Sequence, residues 1–181
     1  MTAATGQDPG RILVLINGAS GAGKTTAAAW LQERLTDAIW IHPDGRWPTP
    51  SMTSGQILLE VLNALATIDG PWMALADCQI RGSEARDLLA GRTDLQIVNV
   101  VLTCEPVERA RRLRHRDAHT HDLRTIEVWS EVLRRDAVRL GDPVVDTTAI
   151  GTAACGQQIL AFLERQARLT PGLDYSMRTQ T

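Results

Sequence analysis

Apolar positions along this chain alternate between short unbroken runs and longer stretches spaced by three and four. Arg11-Ile-Leu-Val-Leu-Ile-Asn17 is the first unbroken run and predicts a buried strand, and Thr25-Thr-Ala-Ala-Ala-Trp-Leu-Gln-Glu-Arg-Leu35 after it predicts a helix. Ala38-Ile-Trp-Ile-His42 reads as a second strand, after which Pro43, Gly45, Pro48 and Pro50 enforce a loop. Ser54 to Leu65 is an amphipathic helix with Ser54 as its expected cap. Trp72-Met-Ala-Leu-Ala-Asp77 reads as a third strand ending in an aspartate, followed by a helix from Ser83 to Ala90. Leu95 to Leu102 is the fourth strand, and Pro106 opens an arginine-rich helix. The polar stretch His115 to Asp122 interrupts helicity before a long helix from about Leu123 to Leu140. Pro143 to Thr147 is a short fifth strand and Gly151 to Arg168 a closing helix.

Strands that alternate with helices in this way predict an α/β fold, a parallel sheet with helices on both faces. Ligands in such sheets bind at the carboxyl ends of the strands. No repeat, low-complexity block or linker divides the chain. One domain is expected over residues 11–168, between flexible ends at 1–10 and 169–181.

Composition narrows the class of partner. A chain of 181 residues is long enough for a proper core without metal or disulfide staples. A formal net charge of −2 argues against broad binding to nucleic acid or to a membrane surface. No apolar run has the length of a membrane span, and Met1 to Pro9 has neither the charged nor the apolar region of a signal peptide. Cys78, Cys104 and Cys155 are odd in number and form no C-x-x-C pair, which fits reduced thiols and a cytoplasmic location. A monomer or a homodimer is expected.

The chemistry concentrates between the first strand and the first helix. Gly18, Ala19, Ser20, Gly21, Ala22, Gly23, Lys24 and Thr25 form a complete G-x-x-x-x-G-K-S/T match, and Lys24 is the only lysine in the chain. A glycine-rich turn there lets backbone N–H groups close around phosphate oxygens, with the positive end of the helix that carries Thr25 and Thr26 adding to the field. Lys24 would reach the β- and γ-phosphates as a point charge, and the Thr25 hydroxyl would ligate magnesium. The pattern therefore predicts binding of a nucleoside triphosphate with Mg2+, and ATP is the expected cofactor of the kinase reading below.

Phosphoryl transfer needs further groups, and each has a candidate. Asp44, just past the second strand, is placed to take a hydroxyl proton from an acceptor, or is the aspartate of an Asp-Gly turn. Arg46 could hold the acceptor or a phosphate and Trp47 could stack on a ring, or both are surface residues. Asp77, ending its apolar run, looks like a Walker B carboxylate that holds magnesium through water, or caps the next helix. Gln79 and Arg81 would face the same cleft, Arg81 as a further acceptor contact. Arg109, Arg111, Arg112, Arg114 and Arg116 spread around their helix, so most should be solvated. Arg112 and Arg116, four apart, share a face suited to a lid over the phosphates. Arg134 and Arg135 are further candidates, or pair with Glu131. His115, His119 and His121 with Asp117 and Asp122 fit no strong metal-ligand spacing and read as a polar lid loop. The tryptophans at 30, 40, 72 and 129 read as core.

Taken together, the phosphate loop, Asp44, Asp77, the lid arginines and the last strand resemble those of the small P-loop kinases. That superfamily includes shikimate and gluconate kinases, adenylate-kinase-like enzymes and the chloramphenicol phosphotransferase group. The resemblance spans roughly residues 11 to 165. It implies a three-layer P-loop NTPase fold with a five-stranded parallel sheet in the order 2-3-1-4-5 and a short arginine-rich lid at about 112–125. It also implies that Asp44 is the acceptor-side aspartate, that Arg112 packs on adenine or phosphate, and that Thr147 and Thr148 touch the adenine edge. Asp44-Gly-Arg stands where shikimate kinases carry paired aspartates, and the substrate signatures of adenylate kinases are missing. The expected activity is ATP-dependent phosphorylation of a hydroxyl on a small molecule: a nucleoside, sugar or antibiotic-like alcohol. The alternatives are a nucleoside monophosphate kinase, with Arg46 and Arg81 on the acceptor phosphate, and an ATP-binding module without transfer activity.

Overall fold

The structure, a computed structural model, describes residues 10–42, 53–116 and 122–168. Its centre is β1 (Arg11–Asn17), whose residues from Ile12 onward are buried because both faces of a parallel sheet are covered. On one side β1 pairs with β3 (Trp72–Cys78), which in turn pairs with β2 (Ile39–Ile41). On the other side β1 pairs with β4 (Leu95–Thr103), and β4 with β5 (Val144–Asp146). All pairings are parallel and the order is β2-β3-β1-β4-β5, as the alternating pattern and the kinase resemblance together anticipate.

Because side chains alternate across a strand, the sheet carries two separate cores. Ile12, Val14 and Ile16 face α1 (Lys24–Gln32) and α6 (Thr152–Arg168), which pack on each other over that face. Leu13 and Leu15 face α2 (Ser54–Leu65) and α3 (Gly82–Leu88). On that same side α5 (Leu123–Leu140) covers Val101 with Leu133 and Ala137. The chain is thus a three-layer α/β domain. α4 (Pro106–Arg116) runs from the end of β4 and forms the continuous helix on which the expected lid arginines sit.

Element boundaries differ from the sequence reading in small, explicable ways. The cap of α2 is Thr53, not Ser54: Thr53 is extended, its hydroxyl accepts from the Gln56 N–H, and the Gln56 side chain accepts from the Thr53 N–H. α1 ends at Gln32, three residues short of Leu35, where the Arg34 N–H turns back to the Leu31 carbonyl. β5 keeps only three residues, although the Thr147 N–H still bonds the Thr103 carbonyl at the end of β4.

A buried polar network fixes the ends of the central strands relative to one another. Asn17, fully buried, donates to the Ile80 carbonyl (2.6 Å) and accepts from the Ile80 N–H (3.0 Å). It also donates to Asn99 Oδ1 (3.0 Å), and Asn99 donates to Asp142 Oδ2 (2.7 Å). Arg86 grips Asp142 with both terminal nitrogens, at 3.0 and 2.5 Å. Every partner is a hydrogen-bonding group, so the desolvation cost of the network is offset. Its effect is positional: the residue before the glycine-rich loop is tied to the segment after β3.

Candidate active site

The phosphate-binding loop emerges from β1 into a space that admits no side chain at two positions. A Cβ on Gly18 would lie 2.6 Å from the Leu102 carbonyl oxygen of β4. Gly21 has φ +81°, and a Cβ there would sit 2.7 Å from Arg109 Cγ and 3.1 Å from Leu113 Cγ of α4. The loop is therefore pressed against β4 and α4. Ala22 N–H bonds the Ala19 carbonyl at 3.1 Å within it. Gly23 caps α1 without a side-chain hydrogen bond, so no side chain competes for the first N–H groups of the helix.

Lys24 is buried to 8% exposure directly after that cap, and Thr25 follows it on α1. β3, adjacent to β1, places Asp77 beside Ile16 and so beside the loop. Thr25 Oγ1 donates to Asp77 Oδ2 at 3.3 Å. The other carboxylate oxygen, Oδ1, lies 2.7 Å from His42 Nδ1, at the end of β2. Asp77 is 5% exposed, so its carboxylate is held from both sides in a largely dry position. Two hard oxygen ligands beside a phosphate loop are the set magnesium takes, with waters and substrate phosphates filling its octahedron. Among the described residues no group of three His, Cys, Asp or Glu gathers into an all-protein metal site. Thr25 and Asp77 accordingly fit a cation brought in with a triphosphate.

A second wall comes from α4 and the segment after β5. Arg112 donates Nη1 to the Thr147 hydroxyl (3.0 Å) and Nη2 to the Thr147 carbonyl (2.6 Å), and its Nε to Glu108 (2.8 Å). Its Nη1 is also 3.8 Å from the Cβ position of Gly23, which sets the guanidinium beside the phosphate loop. Thr147, 4% exposed, has its hydroxyl oxygen 2.9 Å from both the Ala22 and the Thr103 carbonyls, which share its one hydrogen. Thr148 accepts from the Glu105 N–H and donates to Asp146, whose carboxyl is held below its usual range mainly by that bond. The guanidinium groups of Arg111 and then Arg112 push Glu108 down to about 2.

The structure thus brings Lys24, Thr25, Asp77, Arg112 and Thr147 together around one loop. Gln79 joins them, with Nε2 at 3.4 Å from Ser20 Oγ. Arg81 precedes α3 and pairs with Glu84 at 3.6 Å. Arg134 and Arg135 both pair with Glu131 on the same helix. Asp122 caps α5 through the Arg124 N–H and Thr125 hydroxyl. Asp44, Arg46 and Trp47, with His119, His121 and Asp117, lie outside the described residues, as do the side chains of His115 and Arg116.

Two residues were missed by the sequence reading. Arg109, taken with the solvated arginines, is 4% exposed and donates to the Cys104 carbonyl and to Ser130 Oγ (2.8 Å). Its aliphatic stem packs on Gly21, so it braces the loop from behind. His42 stands in the sequence only as the last residue of an apolar run. The rule that singled out Asp44, a polar residue at the carboxyl end of a strand, applies to it equally.

A glycine-rich loop after the central strand, a carboxylate on the neighbouring strand and an arginine helix over both define a P-loop NTPase α/β fold. No family model matches the chain, and no curated protein matches it in sequence. Solved structures do match in fold. A gluconokinase from Sinorhizobium meliloti 1021 is 22% identical with a TM-score of 0.64, covering 90% of this chain and 96% of that one. The tunicamycin resistance protein of Deinococcus radiodurans is 21% identical with a TM-score of 0.61, over 84% and 95%. A shikimate kinase from Acinetobacter baumannii, solved with shikimate, is 17% identical with a TM-score of 0.56, over 86% and 93%. At these identities the likeness establishes the fold, which this chain shares with small-molecule kinases across nearly its whole length.

Proposed function

We propose that this protein is an ATP-dependent kinase that transfers the γ-phosphoryl group to a hydroxyl of a small molecule. The observation that carries this reading is the hydrogen bond from Thr25 to Asp77 at the foot of the glycine-rich loop. A hydroxyl has one hydrogen and two lone pairs, so giving its hydrogen to Asp77 leaves Thr25 a lone pair for a cation. Magnesium would be held by Thr25 and, through water, by Asp77, and would supply neutralisation of charge on the β- and γ-phosphates.

The chain's own groups do the rest. Backbone N–H groups of the loop and the start of α1 orient the phosphates. Lys24 sets a positive charge at the β- and γ-oxygens, and Arg112, fixed on Thr147 beside Gly23, adds a second over the loop. Asp44, two positions after His42, would accept the proton of the acceptor hydroxyl as the oxygen attacks. Positioning and electrostatics are the main sources of rate in this chemistry, which suits a site built from backbone, one lysine and arginines. The names of the gluconokinase and shikimate kinase neighbours support a small alcohol as acceptor, and that of the tunicamycin resistance protein supports including antibiotic-like molecules.

The test is a transfer screen: purified protein, ATP and magnesium with sugars, sugar acids, nucleosides and hydroxylated antibiotics, read by mass gain. A phosphorylated product that disappears in Lys24→Ala and Asp44→Asn supports the kinase and the base. ATP binding with no transfer to any acceptor would instead favour a nucleotide-binding module.

A further inference from the structure

His42, at the end of β2, reaches across to β3 and hydrogen-bonds the Asp77 carboxylate on the oxygen that Thr25 does not use. The bond is short, at 2.7 Å, and joins a half-exposed imidazole to a carboxylate whose side chain is 7% exposed. An ionised carboxylate only accepts, so the hydrogen in this bond belongs to Nδ1 of the imidazole. The ring is itself set in place: it stacks on Trp40 at an interplanar angle of 19°, with centroids 6.3 Å apart. Trp40 packs against the core on the α1 side of the sheet. β2 is held in register with β3 by Ile41 opposite Ala76, one residue before Asp77.

We propose that His42 is a positioning residue for the cation that accompanies the triphosphate, a role that rests on the nucleotide-binding reading above. The Asp77 carboxylate can turn about its last bond, and its two oxygens are chemically equivalent until something distinguishes them. His42 holds Oδ1, which leaves Oδ2 turned toward Thr25 and the loop. A cation arriving with the phosphates then meets a carboxylate and a hydroxyl already in position and need not reorient either. Groups that orient a directly bound ligand typically account for 10- to 100-fold in metal affinity, and His42, acting on a carboxylate that reaches the cation through water, belongs at the lower end of that range.

The experiment measures ATP affinity by calorimetry with excess magnesium and again with EDTA, for the full-length protein, His42→Phe and His42→Asn. Phe keeps a ring over Trp40 and cannot donate. Asn places an amide nitrogen near the position of Nδ1 and can. The expected result is that magnesium tightens ATP binding in the wild type, and that His42→Phe loses up to about tenfold of that gain. His42→Asn should recover most of it, while affinity in EDTA stays alike in all three. A magnesium-dependent gain in His42→Phe equal to the wild type would overturn the proposal and leave the nucleotide-binding reading standing. Equal losses in His42→Phe and His42→Asn that persist in EDTA would also overturn it, in favour of a merely structural histidine. A wild type with no magnesium-dependent ATP binding would overturn both.

Discussion

Arg112 and Thr147 are joined by two hydrogen bonds, from one guanidinium nitrogen to the hydroxyl and from the other to the carbonyl of the same residue. The pair ties α4 to the segment after β5, and the Thr147 hydroxyl carries the connection on to Ala22 in the phosphate loop. Three separate parts of the chain thereby share one buried oxygen. Thr147→Val keeps the shape and removes that oxygen, leaving Arg112 Nη1 without its acceptor and the Ala22 and Thr103 carbonyls without the one hydroxyl hydrogen they share. A loss of about 1–3 kcal/mol is expected in urea denaturation, with Thr147→Ser recovering most of it. An unchanged midpoint in Thr147→Val would show that the hydroxyl is not needed for the tie.

Gly21→Ala tests how firmly α4 is pressed on the loop. The substitution combines a left-handed backbone, at about 1–2 kcal/mol for an L-residue, with a Cβ 2.7 Å from Arg109 Cγ. Arg109 is buried and bonded at both Cys104 and Ser130, so it has little room to withdraw. The expected outcome is a destabilised protein with weakened ATP binding. Gly151→Ala, where nothing lies within 4 Å of the new methyl, should leave both unchanged.

The parts of this molecule legible in its sequence are those that depend on local pattern. The continuous apolar runs of β1, β3 and β4 announce strands buried on both faces, and the glycine spacing with Lys24 announces the loop between β1 and α1. The strand-end rule found Asp77 because an aspartate closing an apolar run stands out. It passed over His42, whose importance lies in a contact 35 positions away on a neighbouring strand. Arg109 is hidden from the sequence for a similar reason. An arginine on an arginine-rich helix reads as solvated until the neighbouring loop and α5 are seen to close over it. Asn17, Asn99 and Asp142 likewise find one another only through sheet pairing, which sequence spacing does not encode.

The acid limb of stability should report the α4 charges. Glu108 titrates near 4.5 when unperturbed and is pushed down to about 2 in the folded protein, first by Arg111 and then by Arg112. A depressed carboxylate stabilises the fold at pH values above its ordinary range, and that contribution is lost as pH falls from about 4.5 toward 2. Glu108→Gln should therefore flatten stability against pH in that window and lower stability at neutral pH by the same amount, a small one because the pair is solvent-screened. High salt should act in the same direction as the mutation. Denaturation curves taken across the acid range would check this, and an acid limb identical in Glu108→Gln would refute it.

Lys24 offers the sharpest test of the nucleotide site, because it is the only lysine in a chain whose other Lys/Arg positions are all arginine. It is 8% exposed and follows a helix cap made of glycine, so the space around it suits a slim ammonium stem. A guanidinium is broad, planar and set to bond in a fork, and would displace the loop N–H groups it is meant to assist. Lys24→Arg should therefore lose transfer almost as fully as Lys24→Ala, by about 10²–10³-fold in kcat/KM. The same uniqueness gives a direct footprint of occupancy. Amine-selective acylation can modify only Lys24 and the N-terminal amine, and mass spectrometry separates the two. ATP with magnesium should protect Lys24 and leave the terminus reactive. Equal acylation of Lys24 with and without ATP would show that the triphosphate does not sit in this loop.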